Sequence, residues 1–278
     1  MKTKILFIIM CAMAVSTITF GLDLKVITYN IRYNTPGDGL NAWPHRKDEV
    51  LKLIHTHAPD IFGLQEALLD QVNDIASKMP GFDWIGVGRE DGVNRGEYAP
   101  IFYNSRKYQL KEQGCFWLSE SPHIPSKSWD AALPRICTFA LLEDYDTRQN
   151  FWVFNTHMDH QGEKARHESA RLILRKINEL NEKKLPVILM GDFNALPDEN
   201  TVKLIKRRLE DSKELSLTAA EGPEGTFNGF DFNSPLTDRI DYIFVNKEVI
   251  VNKYVVLIDS NGQRYPSDHL PVYVELTL

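Results

Sequence analysis

The sequence predicts a single α/β domain built as a sandwich of two packed sheets with helices outside. Two strand–helix–strand units and a β-rich middle carry that prediction. In the first unit, residues 24–30 alternate into a strand, 44–57 carry Val50, Leu51 and Ile54 at helical spacing, and 61–66 form a short apolar run ending in two polar residues. In the second, 151–157 read as a strand, 163–180 place Ala170, Ile173, Ile177 and Leu180 on one helical face, and 186–190 return as a strand. Between the units, Val72, Ile75, Ala76 and Met79 mark another helix closed by Pro80-Gly81. Short aromatic or β-branched runs follow at 82–87, 99–103, 113–119 and 136–143, and three more close the chain at 239–245, 250–258 and 271–276. Short consecutive strands imply antiparallel pairing, and the helices must cover sheet faces.

Composition agrees with one enzyme-sized domain. The chain has 278 residues, 43% hydrophobic and 25% charged, with 16 Gly and 14 Pro, which excludes collagen-like, coiled-coil and wholly disordered classes. Residues 22–278 contain no linker, low-complexity tract or fixed-period repeat, so they form one unit. The formal net charge of -6 gives no general attraction for a polyanion or an anionic membrane.

Residues 1–21 have the layout of a secretory signal: Lys2 and Lys4, an apolar run over 5–15, then small and polar residues up to Gly21. The run is too short for a comfortable membrane span. Cleavage near Gly21 removes two lysines and no acid, which takes the formal charge from -6 to -8. The expectation is an exported protein, periplasmic or extracellular, with no stable membrane anchor. Met10 before Cys11 argues against a lipoprotein. Cys115 and Cys137 are read as free, packed thiols, with pairing left open.

Polar residues follow the apolar strands directly. Thr28-Tyr29-Asn30, Leu64-Gln65-Glu66, Asn155-Thr156-His157 and Gly191-Asp192-Phe193-Asn194 each run from core into an amide, acid or imidazole, and Arg239-Ile240-Asp241-Tyr242-Ile243 and Ser267-Asp268-His269 add further acids and a histidine. Strands of the two units can deliver these ends to one rim. Carboxylates, amides and imidazoles without cysteine suit a hard cation such as Mg²⁺ or Mn²⁺.

This ordered set of six motifs resembles the endonuclease/exonuclease/phosphatase superfamily through essentially the whole mature chain, and most of all its exported bacterial branch related to deadenylase-type exonucleases. The resemblance implies a four-layer, DNase I-like α/β sandwich. It also implies Glu66 as principal metal ligand with Asn30 and Asp268 beside it, and Asp192 activating water. Asn194 would hold Asp192 and a phosphate oxygen. His157 and His269 would donate to phosphoryl oxygens, Asp241 would orient His269, and Glu97 would stand against His157. Beside these, Asp159 and His160 are expected to border the phosphate pocket as substrate-binding residues, and Arg135 either to contact substrate or to form a surface or bracing salt bridge. The chemistry is cation-assisted water attack on a P–O bond, which asks the protein for positioning and charge neutralisation.

Within that class the expectation favours a 3′-5′ exonuclease-like phosphodiesterase acting as a monomer. The alternatives are a phosphomonoesterase on a sugar or inositol phosphate, a sphingomyelinase-like enzyme, or a phospholigand-binding protein without turnover. A zinc reading of residues 155–160 lacks its first histidine, which is Asn155. Trp43 and Arg46 are expected to brace the first helix, and Trp117 and Trp129 to pack beside the strands. Arg166 and Arg171, and the run Lys203, Lys206, Arg207 and Arg208, are read as solvated or paired faces.

Overall fold

The computed structural model describes residues 21–278, so the expected signal lies outside the described residues apart from Gly21. The chain folds into two six-stranded sheets packed face to face. The first holds β1 (Asp23–Asn30), β2 (Ile61–Gln65), β3 (Phe82–Ile85), β4 (Ile101–Asn104), β11 (Ile250–Val256) and β12 (Val272–Thr277), in the order β11-β12-β1-β2-β4-β3. The second holds β5 (Tyr108–Trp117), β6 (Ile136–Asp144), β7 (Asn150–His157), β8 (Val187–Asp192), β9 (Glu210–Asp211) and β10 (Asp241–Val245), in the order β5-β6-β7-β8-β10-β9. Helices α1 (Trp43–His57) and α2 (Leu69–Lys78) cover the first sheet, and α3 (Glu163–Leu180) and α4 (Asn200–Ile205) cover the second. Helix α5 (Ser212–Leu215) is a single turn after β9.

Three apolar layers follow from this order. Val26, Ile61, Val153, Ile188, Ile243 and Val272 meet between the sheets. Tyr29, Phe62, Val50, Ile54 and Ile75 fill the layer under α1 and α2, and Phe154, Leu189, Phe244, Ile173 and Val202 fill the one under α3 and α4. The central strands therefore bury both faces, which is why they read as continuous apolar runs and not as alternation.

The two sequence units lie at the sheet centres. β1 and β2 pair in parallel across α1, and β7 and β8 pair in parallel across α3; the other pairings are antiparallel. All four parallel strands end at one rim, where open α/β sheets place their ligands. β10 and β12 run the other way, so their beginnings, with Asp241 and the preceding Asp268 and His269, reach the same rim.

β5 begins five residues earlier than expected, because Lys111, Glu112 and Gln113 on this edge strand hide its alternation. α4, β9 and α5 are too short to leave a periodic signal. Cys115 and Cys137 are free, as the packed-thiol reading expects. Among the described residues no helix is long and apolar enough to cross a membrane.

Candidate active site

At the shared rim a cleft of about 460 Å³ opens between the two sheets. Its wall takes Glu66 from the end of β2, His157 from β7, Asp192 and Asn194 from β8 and the turn after it, and Asp268 and His269 from the segment entering β12. Register sets the spacing: His157 pairs with Asp192 across β7–β8, and Asp192 with Asp241 across β8–β10. Gly191 lets these strands close, since a Cβ there would lie 2.1 Å from the Thr156 carbonyl oxygen at a φ of +150°. Glu66 and Asn194 both hold a left-handed backbone, with φ of +61° and +48°, the local strain that accumulates at functional sites.

Asp192 is the hub. Its Oδ2 accepts from Asn30 Nδ2 at 2.9 Å and lies 3.5 Å from His157 Nε2 and 3.9 Å from His269 Nε2. Its Oδ1 accepts the Asn194 backbone N–H at 2.9 Å. Burial, then the Asp241 charge, raises its pKa above the ordinary carboxylate value, which brings it nearer the pH at which a base works. Asn194 thus holds Asp192 through its backbone, while its side chain donates to the Met158 carbonyl at 3.0 Å.

The two imidazoles are shifted in opposite directions. His269 Nδ1 lies 2.8 Å from Asp241 Oδ2, which Thr226 Oγ1 also donates to at 2.6 Å. Burial lowers the His269 pKa, but Asp241 overcomes it and holds the ring well above its ordinary value, as imidazolium. His157 is pushed down to about 3 by burial and by the Arg135 guanidinium, whose Nη1 lies 3.0 Å from Nδ1 and 3.1 Å from Nε2, so this ring is neutral. Phe227, 5.1 Å from His269 ring to ring, packs edge-on against it.

Glu97 lies 3.6 Å from His157 Nδ1, close to the position expected, but its nearer partner is Arg89 at 2.5 Å. Arg135 Nη2 lies 3.0 Å from His160 Nδ1, so a guanidinium fills the space between His157 and His160 where the zinc reading would put a metal. Asp159 sits behind the cleft wall. Its oxygens accept backbone N–H groups of Ala132, Leu133, Gln161 and Gly162 at 2.8–3.2 Å, and it is 1% exposed, so the structure gives it a bracing place instead of the substrate contact expected. Burial opposes its charge, but the four donors hold its pKa at about 2. Its stabilisation is therefore complete above the ordinary carboxylate pKa and lost as pH falls through about 2. Asp159→Asn is expected to cost at most about 2 kcal/mol at neutral pH. In urea unfolding at stepped pH, its gap from wild type should narrow below about pH 4.

Asn30 bridges two acids instead of pointing its oxygen into the cleft. Its Nδ2 donates to Glu66 Oε1 at 3.2 Å as well as to Asp192, and its Oδ1 accepts the Arg32 N–H at 3.0 Å. Glu66 and Asp268 face the cleft, and burial, with repulsion from Glu66 set against relief from His269, raises the Asp268 pKa. Two carboxylates facing one cavity, with no sulfur donor, fit a hard divalent cation. Asp192, Asp241 and His269 also bring one ligand atom each within 4.8 Å of one another, but Asp241 Oδ2 is already shared by His269 and Thr226. Of that trio only His269 and Asp241 are hydrogen-bonded, at 2.8 Å, and Asp192 lies 3.9 Å from His269 Nε2.

Several site residues left no sequence signal. Arg32 and Tyr33 line the cleft just after β1, with the Arg32 guanidinium 4.3 Å over the Tyr33 ring and paired to Asp38 at 3.0 Å. Arg89, Thr226 and Phe227 lie in loops whose role only their contacts reveal. Arg46, expected to brace a helix, does more: from α1 its guanidinium donates to the carbonyls of Asn41, Ile31, Arg32 and Pro266. It thereby clamps the chain just after Asn30 and just before Asp268. Trp43 Nε1 ties α1 to Asp74 of α2 at 2.9 Å, and Trp117 Nε1 donates to the Arg89 carbonyl at 2.7 Å. Lys203, Lys206, Arg207 and Arg208 lie in or just after α4, and none of them lines the cleft.

Comparison with known proteins agrees with this rim. A model of the Endonuclease/Exonuclease/phosphatase family matches residues 27–269. The chain belongs to that family. Its members hydrolyse phosphoesters, and the resemblance read from six short motifs is the family relationship itself. A Bacteroides thetaiotaomicron structure described as a mannosyl-6-phosphatase is 43% identical, with a TM-score of 0.87 over 92% of this chain and 100% of that one. A second structure of the family from the same organism is 42% identical, with a TM-score of 0.88 over 92% and 95%. Human nocturnin is 22% identical over 91% of this chain; the chain spans 65% of its length.

Proposed function

We propose that the protein is a divalent-cation-assisted phosphomonoesterase acting on a sugar phosphate, exported from the cell by its N-terminal signal. The observation that carries this is the lining of the cleft: about 460 Å³, with His157, Asp192, Arg135 and His269 sharing it with Leu133, Tyr33 and Phe227. That space can hold one phosphorylated ring, and Arg32 and Arg135 are the only Arg or Lys among its lining residues, short of the row of basic contacts that a polynucleotide needs. The 43% identity to a protein described as a mannosyl-6-phosphatase, covering all of that chain, supports the same reading. The phosphomonoester alternative therefore moves ahead of the exonuclease preference drawn from motifs, which are common to both activities.

In this reading the phosphoryl group lies between Asp192, His157 and His269. His269, charged through Asp241, and Arg135 neutralise its oxygens, and neutral His157 offers a hydrogen bond. Asp192 orients the water and takes its proton as the oxygen attacks phosphorus; the P–O bond to the sugar breaks on the opposite side, and the departing sugar oxygen takes a proton from water. Glu66 and Asp268 would hold Mg²⁺ or Mn²⁺, which supplies further charge neutralisation at the phosphate.

The deciding experiment measures kcat/KM with Mg²⁺ and Mn²⁺ on hexose 6-phosphates, a nucleotide monophosphate, a phosphodiester, single-stranded RNA and sphingomyelin. Phosphate release from hexose phosphates should exceed diester cleavage by at least about 10²-fold, and chelation should abolish it. Faster cleavage of RNA or of the simple diester would overturn the reading in favour of the nuclease alternative.

A further inference from the structure

Residues 119–134 join β5 to β6 without regular secondary structure, closed at the base where the Leu118 N–H donates to the Arg135 carbonyl at 2.7 Å. The loop is knitted internally by serines: Ser119 Oγ lies 2.6 Å from Ser126 Oγ, and Ser128 Oγ accepts the Glu120 N–H at 3.0 Å. Its far end brings Leu133 into the cleft, where this side chain is 39% exposed beside Arg135 and His160.

Two carboxylates fasten this loop to the start of α3 from opposite sides. Asp130, from the loop, accepts the Ala165 N–H at 2.6 Å and the Lys164 N–H at 3.3 Å. Asp159, from the turn before α3, accepts the N–H groups of Ala132 and Leu133. Gly162, the residue before the helix, has no side chain to cap it, and a Cβ there would lie 2.6 Å from both Asp130 O and Oδ1. So α3 takes its cap from a distant loop, and the loop takes its register from the helix. Leu133, three residues past Asp130, and His160, one past Asp159, face the same cleft at a spacing that the clasp fixes.

We infer that this clasped loop is the wall that selects the leaving group. Leu133 presents an apolar surface to the C–H face of a sugar ring, and Asp130 acts as a positioning residue that holds Leu133 against His160. On this inference the wall also crowds the second substituent of a phosphodiester. The inference rests on the phosphomonoesterase reading, and it places selectivity outside the groups that perform hydrolysis.

The test compares wild type, Asp130→Ala, Asp130→Asn and Leu133→Ala on p-nitrophenyl phosphate, a hexose 6-phosphate and bis(p-nitrophenyl) phosphate. Leu133→Ala and Asp130→Ala should raise KM for the hexose phosphate about tenfold with kcat changed less than about twofold, and should narrow the monoester-to-diester ratio of kcat/KM by a similar factor. Asp130→Asn keeps one acceptor oxygen and should recover most of the wild-type KM. On p-nitrophenyl phosphate, kcat of Asp130→Ala should match wild type. An equal loss on all three substrates, or a ratio unchanged in both alanine variants, would overturn the inference. The wild-type ratio alone judges the phosphomonoesterase reading, so the two failures are separate.

Discussion

Asp192→Asn is expected to lower kcat/KM by about 10³ on every phosphoester the enzyme accepts, without lowering its melting temperature by more than about 3 °C. The loss follows from the hub geometry: Asp192 is the carboxylate within reach of Asn30, His157 and His269 at once. Stability survives because burial and the neighbouring Asp241 already disfavour the Asp192 charge. An isosteric amide removes that cost and keeps one of the two hydrogen bonds, from Asn30 Nδ2 or from the Asn194 N–H. Steady-state kinetics and a thermal melt on one preparation check both halves. A melt that collapses together with activity would mean that Asp192 is a structural acid, and unchanged kinetics would remove it from the mechanism.

Arg46→Met is expected to cost about 3 kcal/mol or more and to raise the Mg²⁺ concentration for half-maximal activity by at least tenfold. The guanidinium is 3% exposed and donates to four carbonyl oxygens on three chain segments. Buried acceptors left without donors cost about 1–3 kcal/mol each, offset in part by the desolvation that a neutral side chain avoids. Three of those carbonyls, Ile31, Arg32 and Pro266, lie within two residues of Asn30 or Asp268, so the loss reaches the candidate cation site as well as the fold. Arg46→Lys should not restore either property, because one ammonium cannot reach the positions that the planar fork spans. Urea unfolding and a metal titration of activity separate the two effects. A variant with normal stability and normal metal dependence would show that the loops hold themselves.

Much of this fold is legible in the amino-acid sequence. Continuous apolar runs ending in polar residues marked β1, β2, β7 and β8, because strands buried on both faces have no room for polar side chains until the chain leaves the core. The expected span 163–180 matches α3 because its apolar stripe is long and uninterrupted. Asp241 stood out because a carboxylate inside an apolar strand demands a partner, and the structure supplies Thr226 and His269. Where short range failed, the signal was weak or shared. The edge strand β5 carries charges along its first half, and Asp159 looked like a site residue by its position beside His157 and His160 although its oxygens are taken by backbone donors.

By itself the sequence determined the two strand–helix–strand units and the kinds of group at their ends, since hydrophobic period and burial cost are written locally along the chain. It also determined the family, through the order of six motifs. Only the tertiary structure decided the charge states and the partnerships. His157 is neutral and His269 charged because Arg135 stands against one and Asp241 against the other, across 22 and 28 residues of sequence. Electrostatic energy depends on distance in space and on burial, and neither is fixed until the two sheets close on each other.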